Sequence, residues 1–199
     1  MRYAMAPTAI FFALMVTPAV HAARSEVIVA AGFVSPNRSD FRTATELLGY
    51  GRRGTRSDPE FEIGYLRAAN DWLTLGPIAR LYAGRMGPPY ADVPPIQTWG
   101  GSIAARVEVD VFSWPRLFFW ADPSIGLASI GAPGASKTMW FGGIRGGVGL
   151  GMGRENAVGV RLRAGLSYSP VFGKVTESAG VFDFGGFVLQ LDGVFRVGS

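Results

Sequence analysis

Hydrophobic and polar residues alternate strictly over long stretches of this chain. Across 99–112, the odd positions from Trp99 to Val111 are apolar or glycine, whereas the charged residues fall on even positions. The same two-residue period runs through 72–83 and, with inverted parity, through 157–169. Successive side chains of a β-strand point to opposite faces, whereas a helix would scatter these charges around its circumference. The pattern therefore predicts strands with one apolar and one polar face.

Extended to the whole chain, this alternation predicts eight strands. Their ranges are 25–35, 59–69, 72–84, 97–113, 117–130, 137–153, 157–171 and 181–197. Short turns and longer loops alternate between them, as in an up-and-down barrel with both termini on one side. Most of these strands exceed the roughly five or six residues usual in soluble sheets and reach the about 9–11 residues that a tilted strand needs to cross a bilayer.

Composition limits the chain to one domain without disulfides. Its 199 residues include 28 glycines, 13 prolines and no cysteine, which is too glycine-rich for a helical bundle. Near the N-terminus, Arg2 precedes the apolar run 9–16, and small residues follow up to Ala22. This order is typical of a signal peptide, and it predicts cleavage after Ala22, with 1–22 removed and 23–199 forming the barrel domain. An uncleaved anchor is the alternative, but a spanning helix needs roughly 20 apolar residues.

The last predicted strand carries an alternating apolar pattern from Phe187 to Phe195. With the signal peptide, the strand count and the order of turns and loops, it resembles the small eight-stranded outer-membrane β-barrels of the OmpA and OmpX type over all of 23–199. The chain departs from that family at its end, where 196–199 follow the last aromatic residue. The resemblance implies an all-β, closed antiparallel transmembrane barrel in the outer membrane of a Gram-negative bacterium, with its short turns in the periplasm. It also implies contacts with outer-membrane lipid and lipopolysaccharide and with the insertion machinery during biogenesis.

Aromatic residues predict two girdles at the membrane interfaces. On the short-turn side these are Trp72, Trp114, Phe119 and Phe195, and on the long-loop side they are Tyr82, Trp99, Trp140 and Phe172. The alternative is a soluble, lipocalin-like barrel in which these are ordinary core aromatics. Such a barrel needs a polar exterior, and only 17% of the residues are charged.

The polar strand faces carry charges of both signs. The predicted interior network comprises Arg80, Arg106, Glu108, Asp110, Asp122, Arg145, Arg161, Arg163, Asp192 and Arg196, and Glu62 shares its parity. An eight-stranded barrel has interior room only for side chains, so we expect a salt-bridged plug. A narrow ion path through the network and an acid/base pair of Glu108 and Asp122 are the alternatives. The hairpin at Pro115 sets Asp122 opposite either Arg106 or Glu108, because the register is open.

The residue inventory argues against catalysis and against a cofactor. The single histidine, His21, lies in the predicted signal peptide, and cysteine is absent. The glycine-rich stretch 142–153 lacks both the spacing of a dinucleotide-binding loop and the lysine of a P-loop. Its glycines are instead expected to leave room for bulky side chains inside the barrel. We therefore predict a protein that is not an enzyme and that holds no cofactor or metal.

The predicted surface loops carry the remaining candidate site. Arg52, Arg53 and Arg56 are expected either to bind lipopolysaccharide phosphates or to form a solvated basic loop. The net charge of +4 is spread along the chain without a basic helix, so nucleic acid is not a predicted partner. Three functions stay open: a structural or surface-interaction barrel with an extracellular partner of unknown kind, which we favour, a small channel, and a soluble periplasmic lipid-binding barrel.

Overall fold

The computed structural model of the chain is all-β. It describes residues 24–36, 58–86, 96–113, 115–132, 135–152, 158–174, 181–183 and 185–197. The strands are β1 (Ser25–Pro36), β2 (Asp58–Ala68), β3 (Leu73–Met86), β4 (Ile96–Ser113), β5 (Arg116–Ala132), β6 (Ala135–Met152), β7 (Val158–Tyr168), β8 (Pro170–Lys174), β9 (Val181–Asp183) and β10 (Gly186–Val197). The predicted signal peptide 1–22, the loop arginines Arg52, Arg53 and Arg56, and Trp114 lie outside the described residues. In the described ranges, no helix has the length and apolar character needed to cross a bilayer.

Eight of these strands close into an antiparallel barrel. The hydrogen-bonded order runs from β1 through β7 and then to β10, which returns to β1. The closing seam between β1 and β10 extends from the pair Ser25↔Val197 to the pair Pro36↔Gly186. The predicted closed antiparallel eight-stranded barrel is therefore confirmed.

The seventh and eighth predicted strands are each interrupted. β7 ends at Tyr168, and the chain continues beyond Ser169 as the short strand β8, which pairs with β9. Pro170 offers no backbone N–H to a sheet ladder, which accounts for the break at this point. β9 lies within the predicted strand 181–197, whereas β8 extends three residues past the predicted strand 157–171, because a period of two does not reveal where a ladder is interrupted or ends.

The barrel is apolar outside and polar inside. Along β2, buried and exposed residues alternate from Asp58 to Arg67, with Phe61 and Ile63 more than half exposed on the outer face. The outward set includes the girdle residues Trp72, Trp99, Phe119, Trp140, Phe172 and Phe195. Water would not favour this exterior, whereas lipid does. A soluble lipid-binding barrel has the reverse arrangement, so that alternative is not supported.

Tyr82 does not belong to the predicted girdle. Its side chain is only 8% exposed and lies inside the barrel, in an edge-to-face contact with Phe141. The reason is parity, because Tyr82 shares the inward face of β3 with Arg80. The sequence analysis placed Tyr82 in the girdle because it lies near the loop end of its strand. The alternation of side chains along β3 instead directs it into the barrel.

Apolar side chains fill one part of the interior. The cluster comprises Ile28, Leu66, Ile78, Ala104 and Val194, and it covers the inner wall formed by β10 and β1 to β4. On the opposite wall, the glycines of β6 accept bulky neighbours. A Cβ atom at Gly149 would overlap the ring of Phe118. The glycine-rich stretch thus gives space to side chains from the strand beside it.

Gly147 provides a test of this close packing. A Cβ atom there would overlap the carbonyl oxygen of Ala164 and lie 2.5 Å from the Cα of Gly165, both of them backbone atoms that cannot rotate away. We expect Gly147→Ala to lower the free energy of unfolding by about 1–3 kcal/mol, the usual cost of overpacking. Gly193→Ala is the matched control, because its nearest atoms would lie 3.7 Å away. Equal urea midpoints for the two variants would contradict the close approach.

Candidate functional site

The inward faces of the strands bring seven arginines and seven carboxylates together among the described residues. The arginines are Arg80, Arg106, Arg116, Arg145, Arg161, Arg163 and Arg196, and the carboxylates are Glu26, Glu60, Glu62, Glu108, Asp110, Asp122 and Asp192. All are buried except Asp110 and Arg196, which are half-buried. Burying a charge is costly unless an opposite charge and hydrogen bonds compensate it. Among these paired groups the two signs balance, and a further buried carboxylate, Asp58, lines the same cavity as Arg145.

Arg106 occupies the middle of the network. Its guanidinium donates to both oxygens of Glu62, at 2.7 and 3.0 Å, and to both oxygens of Asp122, at 2.8 and 2.6 Å. Two bidentate pairs use the planar fork of an arginine fully. The residue is completely buried, so its charge depends entirely on these two carboxylates.

Two further arginines complete the middle layer. Arg163 donates to both oxygens of Asp192, at 2.7 and 2.9 Å, and to Glu62 at 2.6 Å. Arg80 donates to Glu62 at 2.9 Å and also contacts Asp122. Three arginines therefore share three carboxylates, and Glu62 receives hydrogen bonds from all three cations.

A second layer lies toward the short turns. Arg161 donates to Glu108 at 2.8 Å and contacts Glu26. Arg116 donates to Glu108 at 3.2 Å and to Asp110 at 2.7 Å, and Arg196 donates to Glu26 at 3.3 Å. This layer again balances three arginines against three carboxylates, so each layer is neutral by itself.

A smaller layer faces the long loops. Arg145 and Gln190 both donate to Glu60 Oε1, at 2.5 and 2.7 Å. Beside them lies a cavity of about 10 Å³, lined by Glu60, Arg145, Asp58, Tyr82, Val34, Phe141 and Ser169. That volume is close to the space one water molecule requires. This end of the interior is therefore filled almost as completely as the middle.

Two aromatic rings of β5 each contact two arginines of the network. Phe118 lies between Arg116 and Arg161, with guanidinium carbons 5.0 and 5.5 Å from the ring centre. Trp120 lies in the same way between Arg106 and Arg163, at 5.5 and 5.2 Å. Each ring face attracts a cation while its edge fills apolar space. The rings lie among the arginines of the network and contact their guanidinium groups.

The structure separates Glu108 from Asp122, the two members of the alternative acid/base pair. Glu108 binds Arg116 and Arg161, whereas Asp122 binds Arg80 and Arg106, so the two carboxylates lie in different layers. Neither side chain is exposed. In the described ranges, no group of three histidine, cysteine or acidic side chains is placed to hold a metal ion.

The structure places all ten predicted network residues on the inner wall, together with Glu62. The hairpin register pairs Glu108 with Trp120, so Asp122 meets Arg106. Sequence reasoning missed four members: Glu26, Glu60, Arg116 and Gln190. Strand parity could have identified them. Arg116, for example, lies on the same inward face of β5 as Phe118 and Trp120, although the sequence pattern assigned it to the turn before that strand.

Comparison with known proteins gives a likeness in fold. No protein-family model and no curated relative matches the sequence. Among solved structures, the attachment invasion locus protein Ail of Yersinia pestis, in complex with the heparin analogue sucrose octasulfate, is 13% identical, with a TM-score of 0.51 over 89% of this chain and 100% of that one. Neisserial surface protein A is 19% identical, with a TM-score of 0.44 over 89% of this chain and 97% of that one. The likeness in fold rests on the first of these. With the apolar exterior, this fold indicates a β-barrel of the Gram-negative outer membrane.

Proposed function

We propose that this protein is a non-enzymatic, non-conducting outer-membrane barrel that stabilises the membrane or presents its surface loops to a partner. The observation that carries the proposal is the interior of the described residues, in which stacked layers of paired charges surround a cavity about the size of one water molecule. A closed wall with such an interior is a rigid support. What varies between barrels of this kind is the loops, so recognition is expected to reside there.

A narrow ion path is the second candidate, and one observation favours it. Within the part of the chain that the structure describes, four buried polar atoms of the charge network have no hydrogen-bond partner, namely Glu108 Oε1, Arg163 Nη1, Arg80 Nη1 and Glu60 Oε2. They are spread over the three layers, as hydration sites along a path would be. Aromatic rings and salt bridges lie between these four atoms, however, and this favours a barrel that does not conduct ions.

Conductance in planar bilayers distinguishes these two functions. We expect the wild-type barrel to give no discrete current steps above the lipid background, because paired charges fill every layer. Steps that Glu108→Gln abolishes, and that Asp71→Asn in an exposed turn leaves unchanged, would establish the ion path instead. A general porin reconstituted under the same conditions serves as the positive control.

The absence of enzymatic activity follows from the residues available for proton transfer. Outside the proposed signal peptide, the sequence contains neither histidine nor cysteine. Glu108 and Asp122 are completely buried and accept hydrogen bonds from arginines, so neither carboxylate is placed to exchange a proton with a substrate. We expect no turnover of labelled lipopolysaccharide, phospholipid or peptides by the refolded protein. Turnover that Glu108→Gln or Asp122→Asn abolishes would overturn this part of the proposal.

The loop arginines suggest the first ligands to test. The structure of Ail is in complex with a polysulfated sugar, and Arg52, Arg53 and Arg56 here could bind anionic sugars or lipopolysaccharide phosphates in the same chemical manner. Neutralising all three with glutamine should weaken lipopolysaccharide binding at low salt.

We further propose that 1–22 is removed on export and that the insertion machinery recognises the last strand around Phe195.

A further inference from the structure

We propose that the outer face of β2 to β5 holds one phospholipid, with its acyl chain in a groove across these strands and its phosphate at Arg67. The groove has a volume of about 1010 Å³ and an almost entirely apolar lining. Its floor is formed by the compact residues Pro77, Ala105 and Pro123 of one outward row, together with Ala79 from the row beside it. This inference is independent of the interior network and concerns a surface that the proposed function leaves unused.

The strand register explains why a groove forms here. Pro77 pairs with Ala105, and the β4–β5 register, with Ala104 opposite Ser124, sets Pro123 in the same row of outward side chains. Larger outward residues of the neighbouring row, Ile103 and Ile125, are 67% and 48% exposed and form one rim. A row of low side chains beside a row of high ones leaves a channel that lies at right angles to the strands.

The two prolines weaken the sheet along the groove. The recorded β2–β3 pairing passes from Gly64↔Ile78 to Arg67↔Leu75, and the β4–β5 pairing passes from Ala104↔Ser124 to Val107↔Ala121, so both ladders are interrupted beside a proline. Proline offers no N–H to a ladder and is ordinarily found at sheet edges or bulges. A closed barrel has no edge, so two prolines in one outward row are a cost to folding that a role for this surface explains.

The groove lies at the depth of lipid chains and approaches a cation at one end. Tyr65 is three residues, and Ile63 five residues, from the end of β2 at Ala68. With a rise of about 3.4 Å per residue and a tilt of about 40°, they lie roughly 8 and 13 Å below that end. On β5 the groove is farther from the short turns, since Pro123 is seven residues from Arg116. The groove therefore begins near the interface at β2 and descends toward β5.

Arg67 stands where a lipid headgroup would be. It is exposed, it shares the outward face of β2 with Tyr65, and it lies two residues nearer the short turn, about 7 Å along the strand. The Tyr65 hydroxyl donates to Ser25 Oγ at 2.8 Å, which fixes the ring at the mouth of the groove. A cation at the interface above an apolar groove matches an anionic phosphate joined to an acyl chain.

The position favours a phospholipid over the other possible occupants. The groove opens toward the short turns, which in barrels of this type face the periplasm, whereas lipopolysaccharide would enter from the long-loop side. From Tyr65 to Pro123 the groove crosses three strand spacings, about 14 Å, which is close to half of the roughly 30 Å hydrocarbon layer. One acyl chain from one leaflet fits this length.

Native mass spectrometry tests the site directly. The protein is refolded into vesicles of equal parts phosphatidylcholine and phosphatidylglycerol, extracted in mild detergent, and weighed with its bound lipid. We expect one retained phospholipid per barrel, predominantly phosphatidylglycerol. Arg67→Gln should lower phosphatidylglycerol retention at least tenfold, and Ala105→Phe should remove both lipids by filling the groove. If Ala105→Phe does not fold, Ala79→Leu fills the neighbouring part of the floor.

The controls place the same changes elsewhere on the barrel. Lys137→Gln removes an exposed cation near the loop end of β6, and Ala164→Phe enlarges an outward residue of β7. Both should retain lipid as the wild type does. The site would be overturned if Arg67→Gln and Ala105→Phe both retained as much phospholipid as the wild type. So would retention of added lipopolysaccharide in place of phospholipid, or a dimer mass that disappears with Ala105→Phe.

Discussion

Replacing Asp122 with alanine is expected to lower the free energy of unfolding by about 3–5 kcal/mol, because it leaves buried arginines without their counter-charge. Asp122 is completely buried, and Arg80 and Arg106 both donate to it. Urea unfolding of the barrel in detergent micelles, followed by tryptophan fluorescence, measures the change. Asp122→Asn preserves the shape of the side chain and separates the loss of charge from the loss of volume.

Asp71→Ala is the control for this measurement. Asp71 is exposed in the turn between β2 and β3, where a substitution should change stability by no more than about 0.5 kcal/mol. Equal urea midpoints for Asp122→Ala and Asp71→Ala would mean that the interior charges contribute nothing to stability. The barrel would then have to be stable through its wall alone.

The second large effect is expected at the pair Arg163 and Asp192, both completely buried. Asp192→Leu should cost about 3–5 kcal/mol, because a buried guanidinium loses two hydrogen bonds. Adding Arg163→Met removes the cation that Asp192→Leu leaves unpaired. Replacing both members of a buried salt bridge with apolar residues is often tolerated. The double variant should therefore be more stable than the sum of the two single changes predicts, by about 2 kcal/mol.

A double-mutant cycle provides that comparison. The combination of Asp192→Leu with Asp71→Ala is the matched cycle, since these residues lie far apart and should be additive within about 0.5 kcal/mol. Additivity in both cycles would show that Arg163 and Asp192 act independently. Arg163 also donates to Glu62, but Arg80 and Arg106 still bind that carboxylate in the variant.

The barrel wall could be predicted from the sequence because a two-residue period is a local property. Each outward residue follows an inward one, so the ranges of β2 to β6 differ from the predicted ranges by only a few residues. Parity also indicates which charges face inward. Another signal was given priority over parity at Tyr82, which was assigned from its nearness to a loop, and at Arg116, which was assigned to a turn. Glu26, Glu60 and Gln190 face inward as well and were not included in the predicted network.

The partners of each interior charge could not be predicted in the same way. They depend on the register between strands, and a shift by two residues would keep every parity but change every pair. The irregularity between Asp110 and Phe112 sets the β4–β5 register. That register brings Asp122 to Arg106 and places Glu108 beside Trp120. No residue pattern in the chain announces an irregularity of this kind.

The seam between the first and last strands has a consequence for how the barrel assembles. Several interior hydrogen bonds join residues far apart in sequence, since Arg161 and Glu26 are separated by 135 positions and Gln190 and Glu60 by 130. These side chains meet only when the two ends of the sheet come together. An open sheet in the bilayer would therefore carry uncompensated charges. Closure and neutralisation are thus a single cooperative event. Such high contact order makes folding slow, and it leaves few stable half-formed barrels in the membrane.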